Sequence, residues 1–540
     1  MSLLKDSIIL VRLVNDGKQW VSLPEVLVLA QQDAIVDFPA LRPHQAPAWY
    51  MFLVQLAVMV LETNGGTLPK DASGWCKALR ALTADFPHDE PWCLTVDDWH
   101  SPAFLQPPLS VAKARGDYKR RIPTPDALDL LVTSKNHDLK GERMGHADPE
   151  EWLYALVNLQ TMEGFLGAGN YGIARMNGGF ASRPMLRIAP ASLGFGGQWW
   201  RDVQALLPAN ARWRRQADAL GVGIREPLAR LLWLQPWDGD ASLSLAQLHP
   251  LAIEVCRRLR LQVQADGSIE AIGATSKVAR VNAKDSKGMV GDPWIPIDRR
   301  DAKVGPKAFT PAADAFSYRR MTQLLDSRLF TPSFLQQPTP EEKRSSAPLQ
   351  LTVAALTRGQ GKTEGFHQRR ILLGPQAVKA MADDEQRLSK RAALFVALAA
   401  EGASKVLRPA IIQLLDGKVD PDWKKPGHEV LVRSPLAALD ADIDRHFFGE
   451  LDASFEAGED DHTAQTRWEQ VLACLIRGQF EHAARSLPCK GEGRYLAEAR
   501  ARNRLEAGLR KIYLSLRPVA QSQDDLEQED ADVDIGQEQA

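Results

Sequence analysis

The rhythm of apolar residues changes near residue 375 of this 540-residue chain, and that change narrows the possible architectures more than any other feature. Before it, segments are short and punctuated by Pro and Gly, with strand-like runs at 351–356 and 370–373. After it, apolar residues recur at helical spacing. Leu394, Phe395 and Leu398 mark one stripe; Leu436, Leu439, Ile443 and Phe447 a second; Trp468, Val471, Leu472 and Leu475 a third; Leu505, Leu509, Ile512 and Leu516 a fourth. A chain of this length exceeds what one core supports. The expected fold is therefore α+β: a large mixed α/β domain over residues 1–372, then a four-helix bundle over 373–518.

Charge separates a third region. From residue 521 the chain carries eight acids and no base, so a formal charge of -2 leaves about +6 on the body. The acidic segment, 519–540, is expected to be disordered. Basic residues gather at 113–121 (KARGDYKRR), 212–215 (RWRR) and 276–288 (SKVARVNAKDSKG). One such run is usually a solvated face; three together point toward nucleic acid.

The apolar stretch 49–61, interrupted by Gln55, is too short to span a bilayer and reads as a buried helix. The first residues carry Lys5, Asp6 and Arg12 and show no cleavage site, so a cytoplasmic protein is expected. Cys76, Cys93, Cys256, Cys474 and Cys489 form no C-x-x-C pair and read as core thiols, with no metal or other cofactor expected.

Two glycine motifs suggest nucleotide sites, and both fail on their flanks. GAGNYG at 167–172 fits G-x-G-x-x-G, but a dinucleotide site needs a strand before it and an acid about 20 residues after it. Here Trp152, Ala155, Leu156 and Leu159 predict a helix upstream, and residues 173–201 contain no Asp or Glu. GQGKT at 359–363 lacks the P-loop's first glycine, since Leu356 stands there, and strand-like runs on both sides predict a hairpin with Arg358, Gln360 and Lys362 near its tip. His137 beside Asp138 does not make a base and its orienting partner, and no metalloprotease or nucleophile-elbow signature appears. A binding protein is expected rather than an enzyme.

Four stretches, in this order and spacing, resemble the CasA family, the large subunit of the type I-E CRISPR surveillance complex called Cascade. They are the opening LLKDSIILVRLVNDGKQWVSLPEVL, the glycine segment EGFLGAGNYGIARMNGGFASRP, the hairpin VAALTRGQGKTEGFHQRRILL with its paired arginines, and the mixed domain followed by a helical bundle. The resemblance implies a non-catalytic subunit that recognises the protospacer-adjacent motif (PAM) in double-stranded DNA from the minor groove and starts R-loop formation. Its partners would be the CRISPR guide RNA, the small, backbone and guide 5′-handle-binding subunits of Cascade, and a recruited helicase-nuclease that holds the chemistry.

The resemblance also places roles on residues. A glycine loop at 164–170, with Gly164, Gly167, Ala168, Gly169 and Asn170, would bring main-chain amides to the groove floor. Gln360, between Gly359 and Gly361, would be the wedge that separates the first target base pair. Lys284 or Lys287 would be a minor-groove lysine finger, with Arg280 in reserve. Lys135, Asn136 and His137 lie in the loop that would dock near the guide handle. The basic helix carrying Arg500, Arg502, Arg504, Arg510 and Lys511 offers a face for a DNA strand or a solvated surface. A nucleotide-binding enzyme and a protein-only scaffold stay open as alternatives.

Overall fold

The computed structural model describes residues 1–129, 147–176, 181–219, 228–312, 314, 316–359, 362–383, 385–488 and 493–517. It is an α+β protein whose chain divides into two compact units, Met1–Ser389 and Lys390–Ala540.

The first unit is built around the helix Ala46–Thr63, buried from Pro47 to Leu61 on every side. Such a helix cannot be amphipathic; it must be surrounded. The helices Pro149–Met162 and Phe195–Ala219 pack against it. Gln55 is tolerated there because its amide donates to Leu251 O at 2.9 Å and Ala252 O at 3.2 Å. Among the described helices this is the one long and apolar enough to cross a membrane, and 83% of that stretch is buried inside the protein.

Short sheets surround this core. At the amino terminus Ile9–Leu13 pairs antiparallel with Lys18–Val21 and Ile35–Asp37. Ser22 then opens the helix Leu23–Gln31 with a capping box, its N–H donating to Glu25 Oε2 at 2.7 Å. A second sheet joins Arg120–Ile122, Ile269–Ala274 and Arg258–Val263. A third joins Met185–Pro190, Leu349–Gly359 and Lys362–Leu373, with Leu349–Gly359 in the middle. The short helix Pro375–Ala382 packs on this hairpin and on the helix Pro340–Arg344, inside the first unit.

The second unit is helical. Arg387–Glu401, which straddles the boundary, continues through a π turn, Gly402–Leu407, into Arg408–Asp416; then follow Pro426–Glu456, Asp461–Ser486 and Arg494–Ile512. Phe395 stacks on Trp468 at 5.0 Å between ring centres, and Phe447 meets Trp468 edge-on at 5.8 Å. The Trp468 indole donates to Phe395 O at 3.0 Å. One thiol reading needs correction: Cys256 is buried, but Cys474 sits on the exposed face of its helix, opposite the side that Leu472 and Ile476 bury.

Candidate nucleic-acid interface

The helix Pro149–Met162 starts at Asp148, whose N–H donates to Glu151 Oε2 at 2.9 Å, and delivers the chain into the glycine segment. A helix, not a strand, therefore precedes GAGNYG. The loop closes on itself: the Leu166 N–H donates to Asn170 O at 2.9 Å and the Asn170 N–H to Gly167 O at 3.0 Å. Gly167 has φ 99° and Gly169 φ 81°, conformations that L side chains rarely adopt.

These two glycines do different things. A Cβ on Gly169 would fall 2.8 Å from Thr275 Cβ, so this glycine lets the loop pack against the protein, where Ser276 N–H donates to Gly169 O at 3.0 Å. Nothing lies within 4 Å of where a Cβ on Gly167 would point. Gly167 and the exposed Ala168 form the open tip; Gly164 is buried at the neck.

Behind the loop, sequence reading missed a buried charge cluster. Arg175 pairs with Glu254 and, at 3.0 Å, with Asp292; Arg183 Nε donates to Asp292 Oδ2 at 2.7 Å and its guanidinium lies 5.1 Å from the Trp294 ring centre. Burial pulls the Arg183 guanidinium down to about 10, against the attraction of Asp292. Because Ala174 N–H also donates to Glu254 Oε2 at 2.8 Å, the chain leaving the loop is fastened at several points. The arginines in IARMNGGFASR were the available signal, but nothing local identifies Glu254 and Asp292 as their partners.

This cluster stands next to the hairpin. Arg183 N–H donates to Met162 O at 2.9 Å and Ser182 N–H to Leu356 O at 3.2 Å, so two consecutive residues tie the end of the loop's helix to the hairpin. The hairpin replaces a P-loop: strands flank GQGKT on both sides. Met185–Pro190 supports it only as far as Met185 opposite Ala354. Beyond that point two strands continue to Gly359 opposite Lys362, interrupted by a bulge that places Thr357 against Gly365 and Arg358 against Thr363. Bulges increase twist and re-aim a strand end. Gln360 and Gly361 lie outside the described residues, and Gly359 ends the first strand.

The basic stretches separate into free and committed groups. Lys284 opens a 3-10 turn, Lys284–Ser286, and is exposed; Lys287 is exposed too, but its ammonium donates to Val304 O. Arg280 cannot serve as their reserve. It is buried against Trp237 and donates to Gln235 O at 2.7 Å, Pro236 O at 3.1 Å and Leu232 O at 3.3 Å, and burial pulls it down to about 10. Arg121 pairs with Glu270 and Arg115 lies over Trp99. In the second unit Arg502 pairs with Glu481 and Glu498, Arg500 donates to Gly417 O at 2.7 Å, and Arg504 donates to Gln413 and lies over Trp423. Arg504, Arg510 and Lys511 are exposed on that helix, and Arg510 Nε donates to Glu506 O at 3.3 Å one turn back.

Lys135, Asn136 and His137, with Asp138, lie outside the described residues. Just before them Asp129 is buried, paired with Arg42 and bonded to His44 Nε2 at 2.8 Å. Among the described residues no three His, Cys, Asp or Glu side chains group as metal ligands would.

The family model described as CRISPR-associated protein Cse1 matches residues 2–486. No curated protein matches the chain. Solved structures do. Cse1 from Acidimicrobium ferrooxidans is 17% identical with a TM-score of 0.62, covering 96% of this chain and 99% of that one. Cse1 from Thermobifida fusca is 14% identical with a TM-score of 0.65 and the same coverage. A chain of a structure described as a CRISPR RNA-guided surveillance complex is 13% identical with a TM-score of 0.58, covering 95% and 99%.

Proposed function

The chain belongs to the CRISPR-associated protein Cse1 family, which is the CasA family that its sequence resembles, and on that premise we propose that it is the non-catalytic large subunit of a cytoplasmic type I-E Cascade complex, reading the PAM through the minor groove. In this reading Gly167 and Ala168 approach the groove floor, Lys284 supplies the cation, and Gln360 at the hairpin tip holds the first target pair apart. Guide RNA reads the rest of the target by pairing. Lys135, Asn136 and His137 dock the subunit at the guide handle, the bundle meets the small subunits and a DNA strand, and a helicase-nuclease supplies cleavage.

One observation carries most of the weight. The glycine loop and the hairpin, nearly 200 residues apart in sequence, share a foundation through Ser182 and Arg183. A motif reader and a strand separator must act on neighbouring base pairs, and a shared footing suits that task. The minor groove presents a degenerate code, so several motifs should be tolerated. Lys284 is preferred to Lys287 because the Lys287 ammonium must first leave Val304 O, whereas Lys284 is exposed and has no hydrogen-bond or ion-pair partner among the described residues.

The test is strand opening by the complex assembled with guide RNA, on duplexes that vary the flanking motif. Gln360→Ala is expected to slow opening while initial duplex binding persists. Lys284→Ala is expected to weaken binding to motif-bearing duplex by about 1–3 kcal/mol, the scale of one groove contact. Opening that ignores both the motif and Gln360 would favour the protein-only scaffold.

A further inference from the structure

A loop that reads DNA with its main chain has few side chains with which to hold its own shape, so something behind it must do so. Here the two limbs meet at a narrow neck. Ile173 N–H donates to Glu163 O at 3.0 Å, and Gly172 lies so close to Gly164 that a Cβ would fall 2.6 Å from its carbonyl carbon. Arg257 reaches across this neck. Its Nη2 donates to Gly164 O at 3.1 Å on the incoming limb, while its Nη1 donates to Tyr171 O on the outgoing limb and to Cys256 O at 3.2 Å.

Arg257 is itself held. It is 9% exposed, and its N–H donates to Gln160 Oε1 at 2.8 Å while its carbonyl accepts from Gln160 Nε2 at 2.9 Å. Gln160 sits in the last turn of the helix that feeds the loop. The guanidinium, the loop neck and the helix end thus form one closed circuit of hydrogen bonds. The planar fork holds the two limbs from separate nitrogens at a fixed spacing, whereas a lysine brings all its donors on one nitrogen and sets no such spacing.

The geometry assigns Arg257 as the positioning residue of the glycine loop: it fixes the spacing of the two limbs, and so the pose of the Gly167–Ala168 tip, without touching DNA. The assignment rests on the reading of that loop as the motif reader. Its consequence is specific. Losing the fork should blur discrimination between flanking motifs while leaving sequence-independent attraction to duplex DNA intact, since a buried group makes no phosphate contact.

The experiment uses the full complex with guide RNA and compares wild type, Arg257→Gln, Arg257→Lys and Gly167→Val. Two quantities are read: the ratio of strand-opening rates on preferred and scrambled flanking motifs, and the affinity for duplex without a target. Arg257→Gln is expected to lower the ratio about tenfold, as loss of charged hydrogen bonds on both limbs would, with target-free affinity unchanged and Arg257→Lys recovering part of the ratio. If Arg257→Gln fails to assemble, Arg257→Lys decides alone: a reduced ratio supports the assignment and a full one overturns it. Equal loss of both quantities in Arg257→Gln also overturns it, because that is what a merely structural role predicts. If Gly167→Val lowers the ratio and the Arg257 variants do not, Arg257 falls and the loop reading stands; if wild type ignores the motif or Gly167→Val leaves the ratio unchanged, the loop reading falls with it.

Discussion

Glu150 is a buried carboxyl at the start of the helix that feeds the glycine loop. Burial pushes it up to about 7, against two hydrogen bonds that favour its charge, from Leu10 N–H at 2.8 Å and Tyr154 OH at 2.9 Å. A carboxyl raised in the folded state costs nothing while it is protonated in both states. The cost begins above its unfolded value near 4.3 and is complete above 7. Both hydrogen bonds end on Oε1, which a glutamine amide keeps. Glu150→Gln is therefore expected to stabilise the first unit by about 1–3 kcal/mol at pH 8 and by little at pH 5, as denaturant titration at the two pH values would show. Residues of this kind are hard to read from a sequence. The glycines of the loop were visible because their spacing is local; Glu150, Arg257 and the Glu254–Asp292 cluster were not, because each takes its role from partners distant in the chain.

The π turn Gly402–Leu407 is the element on which the second unit turns. It interrupts a helix that would otherwise run from Arg387 to Asp416, and Tyr513 inserts its hydroxyl there, donating to Leu398 O at 3.2 Å. Gly402 makes room: a Cβ would collide with that hydroxyl and fall 2.6 Å from Ile476 Cδ1. Gly402→Ala is expected to cost about 1–3 kcal/mol through overpacking, read as a lower denaturant midpoint for the bundle. The four helices themselves were legible from apolar spacing. Their facing was legible only in part, since Trp468, Leu472 and Ile476 are buried while Val471 and Leu475 are half-buried. The stack of Phe395 on Trp468 chooses that stripe, and such a choice belongs to the partner helix rather than to the sequence of either one. Likewise the hairpin was readable from its two apolar runs, but not its bulge, which depends on how the strands register.

The whole chain holds two compact units, each with its own aromatic core. Heating is expected to give two transitions, with Glu150→Gln moving one at pH 8 and Gly402→Ala the other; a single transition displaced by both variants would contradict that division. The two units also differ in when they can form. In the second unit the last helix, Arg494–Ile512, packs on Arg408–Asp416 and on the π turn, and Tyr513 reaches back to Leu398 O, so that unit closes only once its final helix has been made. The first unit has a wait of its own, in the sheet beneath the hairpin. Met185–Pro190 is buried along nearly its full length in the finished protein, yet its pairing strand begins only at Leu349, about 160 residues later. At synthesis rates of 5–20 residues per second that is about 8–30 s during which an apolar strand edge waits for its partner. A nascent chain that stalls in this interval presents an aggregation-prone edge, and the footing shared by loop and hairpin is among the last features of the first unit to be assembled.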